Sequence, residues 1–286
     1  IGSTNDEAKR LASLGEPARE LVTLEWINRN AESAEPPRRR LAALALGVHG
    51  DQGTEALHRL LDDRDPSVVS AACQAAGVLK NRAYVHAIVR RLPDARLRGA
   101  AIEALAAYGT RIAGTLGDLL EDESVPAATR RQVPRVLHLT AEQRSVAVLL
   151  RSIGDRDLAV RAAVLKALNR LREAAPRLDY GATFVTRQIL NEARHYFELH
   201  AALEPLRSGC KPRTASALLA RTIEQRLTQT VERLFRLLGL RYPPKEVYAA
   251  YLAVKHRRAE QLSAALEFLD NVLDRELKRT LVPLLD

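Results

Sequence analysis

The chain has no methionine, one tryptophan and two cysteines among 286 residues, and aromatic residues make up 4% of it. Cys73, in a run of small residues, and Cys210, in "SGCKP", form no CxxC pair. That excludes a disulfide framework and a cysteine-built metal site, and both are read as reduced thiols of a cytosolic protein. No apolar run approaches the roughly 18 residues needed to cross a bilayer, and the opening IGSTNDEAKR lacks the apolar core and cleavage site of a secretion signal. The missing methionine implies an excised or processed piece, so further segments are expected in the parent protein.

Catalytic signatures are missing as well. There is no GxxxxGK[ST], no GxGxxG after a strand, no GxSxG and no HExxH. The acidic clusters Glu121, Asp122, Glu123 and Asp62, Asp63, Asp65 lie between helices, where capping and solvation explain them better than acid or base chemistry. His195 and His200 are five residues apart and share no helix face well. The expectation is a chain with no catalytic activity, no cofactor and no metal.

What is present is Ala, Leu and Arg, in a chain that is 47% hydrophobic and 28% charged, a composition that favours helix throughout. One arrangement recurs at a spacing of about 30 residues: EPPRRRLAALALG from Glu35, DPSVVSAACQAAG from Asp65, DARLRGAAIEALA from Asp94, a degenerate ESVPAATRRQVPR from Glu123, and DLAVRAAVLKALN from Asp157. Before each lies a short helix ending in leucines, as in ALHRLLDD and TLGDLLED. After it come apolar residues at helical spacing, as in Val68, Ala71, Ala72, Ala75 and Leu79. The acidic residue is expected to cap the second helix, with proline following it at Pro36 and Pro66. Alanines such as Ala71, Ala72, Ala100, Ala101, Ala162 and Ala163 suit helices that must approach closely between neighbours, since one unit cannot bury its apolar face alone.

These units resemble short HEAT-type repeats. In that family an Arg often stands four residues after the turn, as Arg39, Arg98 and Arg161 do here, whereas Val69 and Ala127 depart from it. The resemblance implies that such arginines bond to acidic residues between repeats. Pro126 and Pro134 inside the fourth copy predict a bend or break. HEAT-type hydroxylases that bind iron use His-Glu pairs, and none of His49, His58, His86, His138, His195, His200 or His256 precedes a Glu.

The last third changes character, with Tyr180, Phe184, Tyr196, Phe197, Phe235, Tyr242, Tyr248, Tyr251 and Phe268 read mainly as core fillers. Leu219, Ile223, Leu227, Val231, Leu234 and Leu238 predict a long helix from Arg213 that Gly239 closes. The expected fold is all-α: an N-terminal cap over 1–36 in which Trp26 staples a helix to the first repeat, a right-handed HEAT-like α-α superhelix or solenoid over 37–178, and a C-terminal helical bundle over 179–286. Its final ELKRTLVPLLD reads as the start of another repeat.

LFRLLGLRYPP from Leu234, VYAAY from Val247 and ALEFLDNVL from Ala265 resemble, more narrowly, the cytosolic repeat region of bacterial fusion proteins. In those, an ATP/ADP translocase-like membrane domain precedes the repeats and a cyclic-nucleotide-binding domain follows. The resemblance implies a scaffold that couples domains of one parent chain at the inner face of a membrane. The net charge of +9 and pI near 9.9 suit an acidic partner, an anionic membrane surface or nucleic acid. Nucleic-acid binding in the manner of HEAT-like DNA glycosylases is the rival reading, through the local basic sector that includes Arg172. The candidate partner-binding residues are Arg131, Arg135, Lys166, Arg170, Tyr242, Tyr248 and Tyr251.

Overall fold

The computed structural model describes residues 23–50, 53–208, 215–256 and 259–285, and among them every regular element is a helix. The helices are α1 (Leu24–Ala31), α2 (Pro36–His49), α3 (Thr54–Leu61), α4 (Pro66–Leu79), α5 (Val85–Val89), α6 (Arg98–Ala107), α7 (Ala113–Glu121), α8 (Ala127–Arg130) and α9 (Val133–Leu137). They continue as α10 (Gln143–Arg151), α11 (Leu158–Ala174), α12 (Ala182–Ser208), α13 (Ala215–Arg241), α14 (Pro244–His256), α15 (Ala259–Val272) and α16 (Arg275–Leu285). The all-α, helical-repeat fold read from the sequence is therefore observed. The chain divides into two compact units, Ile1–Thr140 with Asp155–Ala163, and Ala141–Gly154 with Val164–Asp286, so α11 begins in the first and ends in the second. Residues 1–22, most of the expected cap, and Cys210 lie outside the described residues.

In the first unit the turn chemistry is the one expected at Asp65, whose Oδ1 accepts from Ser67 N at 2.8 Å while Pro66 takes the first helical position. Asp157 likewise accepts from Ala159 N at 2.8 Å and Val160 N at 3.0 Å. Glu35 does not cap. Its helix opens with Pro36 and Pro37, so the N–H that Ser67 offers Asp65 is missing here. The Arg38 N–H goes to the Glu35 carbonyl at 3.1 Å, and the carboxylate pairs with Arg38 Nε at 3.0 Å.

Small residues then let α2 pack on α4 and α4 on α6. A Cβ on Gly47 would lie 3.1 Å from Ala75 Cα, and one on Gly77 would lie 3.0 Å from Ala104 Cα, so each glycine marks a backbone-to-backbone approach that a side chain would push apart by a few tenths of an ångström. The buried alanines Ala42, Ala43, Ala71, Ala72 and Ala101 continue these seams. Leu57, Leu60 and Leu61 of α3, Ile88 of α5 and Leu116 and Leu120 of α7 are fully buried, each contributing about 1.5–3 kcal/mol by leaving water. Tyr108, 2% exposed, closes the end of α4: its hydroxyl lies 3.1 Å from Ala76 O and 2.9 Å from Asn81 O. Trp26 is only half-buried, and the fully buried Ile27 is the residue that seats α1. The break expected in the fourth copy is present, since Pro126 immediately precedes α8 and Pro134 opens α9.

The second unit is built on α12 and α13, which run antiparallel: Arg207 meets Glu224 near one end and Glu192 meets Arg233 further along. The latter pair is buried, with Arg233 Nε 2.5 Å from Glu192 Oε1 and Nη2 donating to Thr230 Oγ1 at 2.8 Å. Gly239 does not end α13. The helix continues to Arg241 and stops before Pro243 and Pro244, which cannot extend it. Gly239 is needed for closeness instead, because a Cβ there would lie 2.7 Å from Asn169 Oδ1. Asn169 Nδ2 donates to Arg236 O at 2.8 Å, pinning α11 to α13.

Candidate functional site

The arginine register comes first, because it separates structural cations from available ones. Arg39 clamps Asp63 with Nε at 2.7 Å and Nη2 at 2.9 Å, and its Nη1 donates to Ser33 O and Ala34 O. Burial alone would raise the Asp63 carboxyl, but the hydrogen bonds from Arg39 and the Asp65 N–H and the Arg39 charge hold it below the usual carboxylate value. Asp63 is thus part of an ion pair rather than solvated, which corrects the capping-and-solvation reading of its cluster. Arg98 covers the end of the preceding turn, donating to Leu92 O at 3.0 Å and Pro93 O at 2.8 Å.

In the fourth repeat the same position belongs to Arg130, 6% exposed, which donates to Leu120 O at 2.9 Å and pairs with Asp155. The sequence reading missed it by starting that copy at Glu123. The turn residue is Pro126, and Arg130 stands four residues after it, as Arg39 stands after Glu35.

Of the candidate partner-binding residues, Arg131 and Arg135 lie in the first unit, exposed beside the buried Arg130. The second unit brings several others together. Lys166 and Arg170 are exposed one turn apart on α11. Across from them on α13, Arg236 holds Glu232 at 2.6 Å, and Lys166 is near enough that its charge acts on Glu232. Burial pushes the Glu232 carboxyl up, but the Arg236 hydrogen bond and the charges of Arg236, Lys166 and Lys255 bring it below its ordinary value. On α14, Tyr251 is 7% exposed and packs on Phe235 at 5.6 Å between centroids, whereas Tyr248, 6.1 Å from Tyr251, is 55% exposed. Burial, then the Glu232 charge, raises the Tyr251 hydroxyl.

The hollow between α11, α13 and α14 has a volume of about 20 Å³, room for about one water and far below the roughly 300 Å³ at which small-molecule sites begin. What this face exposes is one tyrosine on an aromatic base, beside a Glu232 on which Arg236, Lys166 and Lys255 act.

Tyr242 is placed elsewhere. Arg241 lies over its ring at 5.6 Å and pairs with Asp274 at 2.8 Å, and Asp274 accepts from Leu277 N at 3.1 Å, so this group fixes the start of α16. Arg172 is likewise engaged, donating to Pro176 O at 2.6 Å and covering the Tyr180 ring at 5.3 Å. The reading of the aromatics as core fits Tyr180, Phe235 and Tyr251, which are buried, but not Phe184, Phe197 and Tyr248, which are 38%, 40% and 55% exposed. Cys73 is fully buried, which pushes its thiol up to about 12.

Residues 23–106 match the family model described as HEAT repeats. Among curated proteins none matches the chain. A solved structure of human deoxyhypusine hydroxylase in complex with glycerol is similar at 17% identity and a TM-score of 0.26, over 92% of this chain and 88% of that one. That structure is of an enzyme, against the expectation of a chain without catalytic activity. At this similarity no reaction, substrate or residue is carried across. Among the described residues no helix is long and apolar enough to cross a membrane.

Proposed function

We propose that this helical-repeat chain is a docking module that binds an acidic protein segment through the face formed by Lys166, Arg170, Arg236, Tyr248 and Lys255. The observation that carries the reading is Tyr248: a large aromatic 55% exposed, set against the buried Tyr251 and beside Glu232, whose carboxyl feels the charges of Arg236, Lys166 and Lys255. Exposed tyrosine on a rigid base with arginine and lysine around it is the composition of interface hot spots, and the hollow beneath it is too small to hold a ligand. The match of residues 23–106 to HEAT repeats supports a scaffold of this kind.

In its finer form the proposal places the module in the cytoplasm, as the link between a translocase-like membrane domain and a cyclic-nucleotide-sensing domain of one polypeptide. The support is the likeness of LFRLLGLRYPP, VYAAY and ALEFLDNVL, which fall on α13, α14 and α15 of the bundle. The net charge of +9 is compatible with anionic lipid heads near such a domain. Sequencing the complete gene product tests this form: membrane-spanning helices ahead of the repeats and a nucleotide-binding domain after them are expected, and their absence rejects the finer reading only.

The same +9 charge favours one rival, sequence-independent nucleic-acid binding. A salt titration with duplex DNA decides it. Micromolar affinity falling steeply with salt and abolished by Lys166→Glu with Arg170→Glu would move the face from protein to nucleic acid.

A further inference from the structure

We propose that the second unit also binds a single-chain amphiphile with one anionic head group, in the cleft where α12 and α13 meet α14, α15 and α16. The cleft has a volume of about 470 Å³, inside the roughly 300–1,000 Å³ usual for small-molecule sites. A helix about 10 Å across would overfill it within two turns, so the occupant is small.

Floor and rim differ in chemistry. Leu203, Leu227 and Leu284, none more than 9% exposed, form an apolar floor with the Tyr251 ring. At the rim the Lys255 ammonium lies 5.7 Å from the centre of the Tyr251 ring, and His200 stacks on Tyr196 at 6.1 Å. Arg207 Nη2 donates to Glu224 Oε1 at 3.0 Å.

Charge selects the head group. Among the described lining residues, Arg207 and Lys255 are the permanent cations and Glu224 is the carboxylate. Glu232, whose carboxyl also feels Lys255, is already held by Arg236 at 2.6 Å. One positive charge is left over, and a single anionic head at Lys255 balances it while an alkyl tail covers the leucines. A neutral tail leaves that charge unanswered. Tyr248 does not line the cleft, whereas Lys255 and Tyr251 belong both to it and to the docking face, so Tyr248 is the residue that tells the two sites apart.

Isothermal titration of the full chain with dodecanoate, below its micelle-forming concentration, tests the site. The expected result is saturable one-to-one binding. Octanoate, four methylenes shorter, binds at least about 100-fold more weakly, and dodecanol does not compete. Lys255→Ala weakens dodecanoate about tenfold through the lost charge-assisted bond. Thr228→Trp fills the rim from an exposed position that the fold tolerates and abolishes binding. Tyr248→Ala leaves it unchanged, which separates this site from the docking face. Phosphatidylglycerol vesicles form a second arm, distinguishing a free amphiphile from a bilayer head group. Lack of saturable dodecanoate binding, affinity independent of chain length, either cleft variant binding like the parent, or vesicle association without dodecanoate binding would each overturn the proposal.

Discussion

Arg130 and Asp155 face each other with side chains 7% and 6% exposed, against 17% and 10% for Arg39 and Asp63. Removing one partner of a buried pair strands the other charge, so Asp155→Ala is expected to cost about 3 kcal/mol in urea unfolding, and Asp63→Ala less. Asp63 also carries a pH signature. Its carboxyl is held below 3.8 when folded, so the stability it contributes is complete above that value and disappears as pH falls through the lower folded value. Urea midpoints measured from about pH 6 down to about pH 2 are expected to show the parent's advantage over Asp63→Asn shrinking only below the ordinary carboxylate range. In a Cys210→Ser background, Cys73 is expected not to react with a thiol reagent at pH 8 until the chain unfolds, because its thiol is buried and shifted to about 12. At this scale Arg39 was legible from a fixed offset after an acidic residue, whereas Arg98, at the same offset, takes backbone carbonyls where the resemblance implied an acidic partner. Arg130 was not, because proline had replaced the acid that marks the turn, although the offset from Pro126 is intact.

Helices of the first unit touch through glycine at Gly47 and Gly77, and these positions separate packing from propensity. Gly77→Val would drive side-chain carbons into the Ala104 backbone 3.0 Å away and is expected to destabilise by roughly 1–3 kcal/mol or more. Gly99, in α6, has nothing within 4 Å of its would-be Cβ, so Gly99→Ala is expected to stabilise by about 0.5–1 kcal/mol through helix propensity. Thermal melts of the two variants check both signs. Element type was legible here because alanine seams and turn residues recur in register. Element ends were less so: Gly239 reads as a stop from its own identity, but its role is set by Asn169, 70 positions earlier in the numbering, and no local pattern carries that information. The capping role read for Glu35 failed for the opposite reason, since Pro37 beside it removes one N–H a cap would take and the Glu35 carbonyl takes the other, from Arg38.

For the whole molecule, helical repetition was visible in the sequence because each copy repeats the same burial problem. The candidate face was visible only in part. Tyr248 and Lys166 could be named individually, but that Glu232 and Arg236 lie between them depends on α11 docking on α13 through Asn169. The proposed docking is tested most directly by photo-crosslinking the full-length protein in its own cells, with benzoylphenylalanine placed at Tyr248 and, as control, at Leu139, 51% exposed in the first unit. Mass spectrometry of the captured peptides is expected to find one Asp- and Glu-rich protein segment at Tyr248 and not at Leu139, with capture lost when Lys166 and Arg170 are changed to Glu. Capture that survives this charge reversal, or that is the same from Leu139, would contradict the assignment of this face as the docking surface.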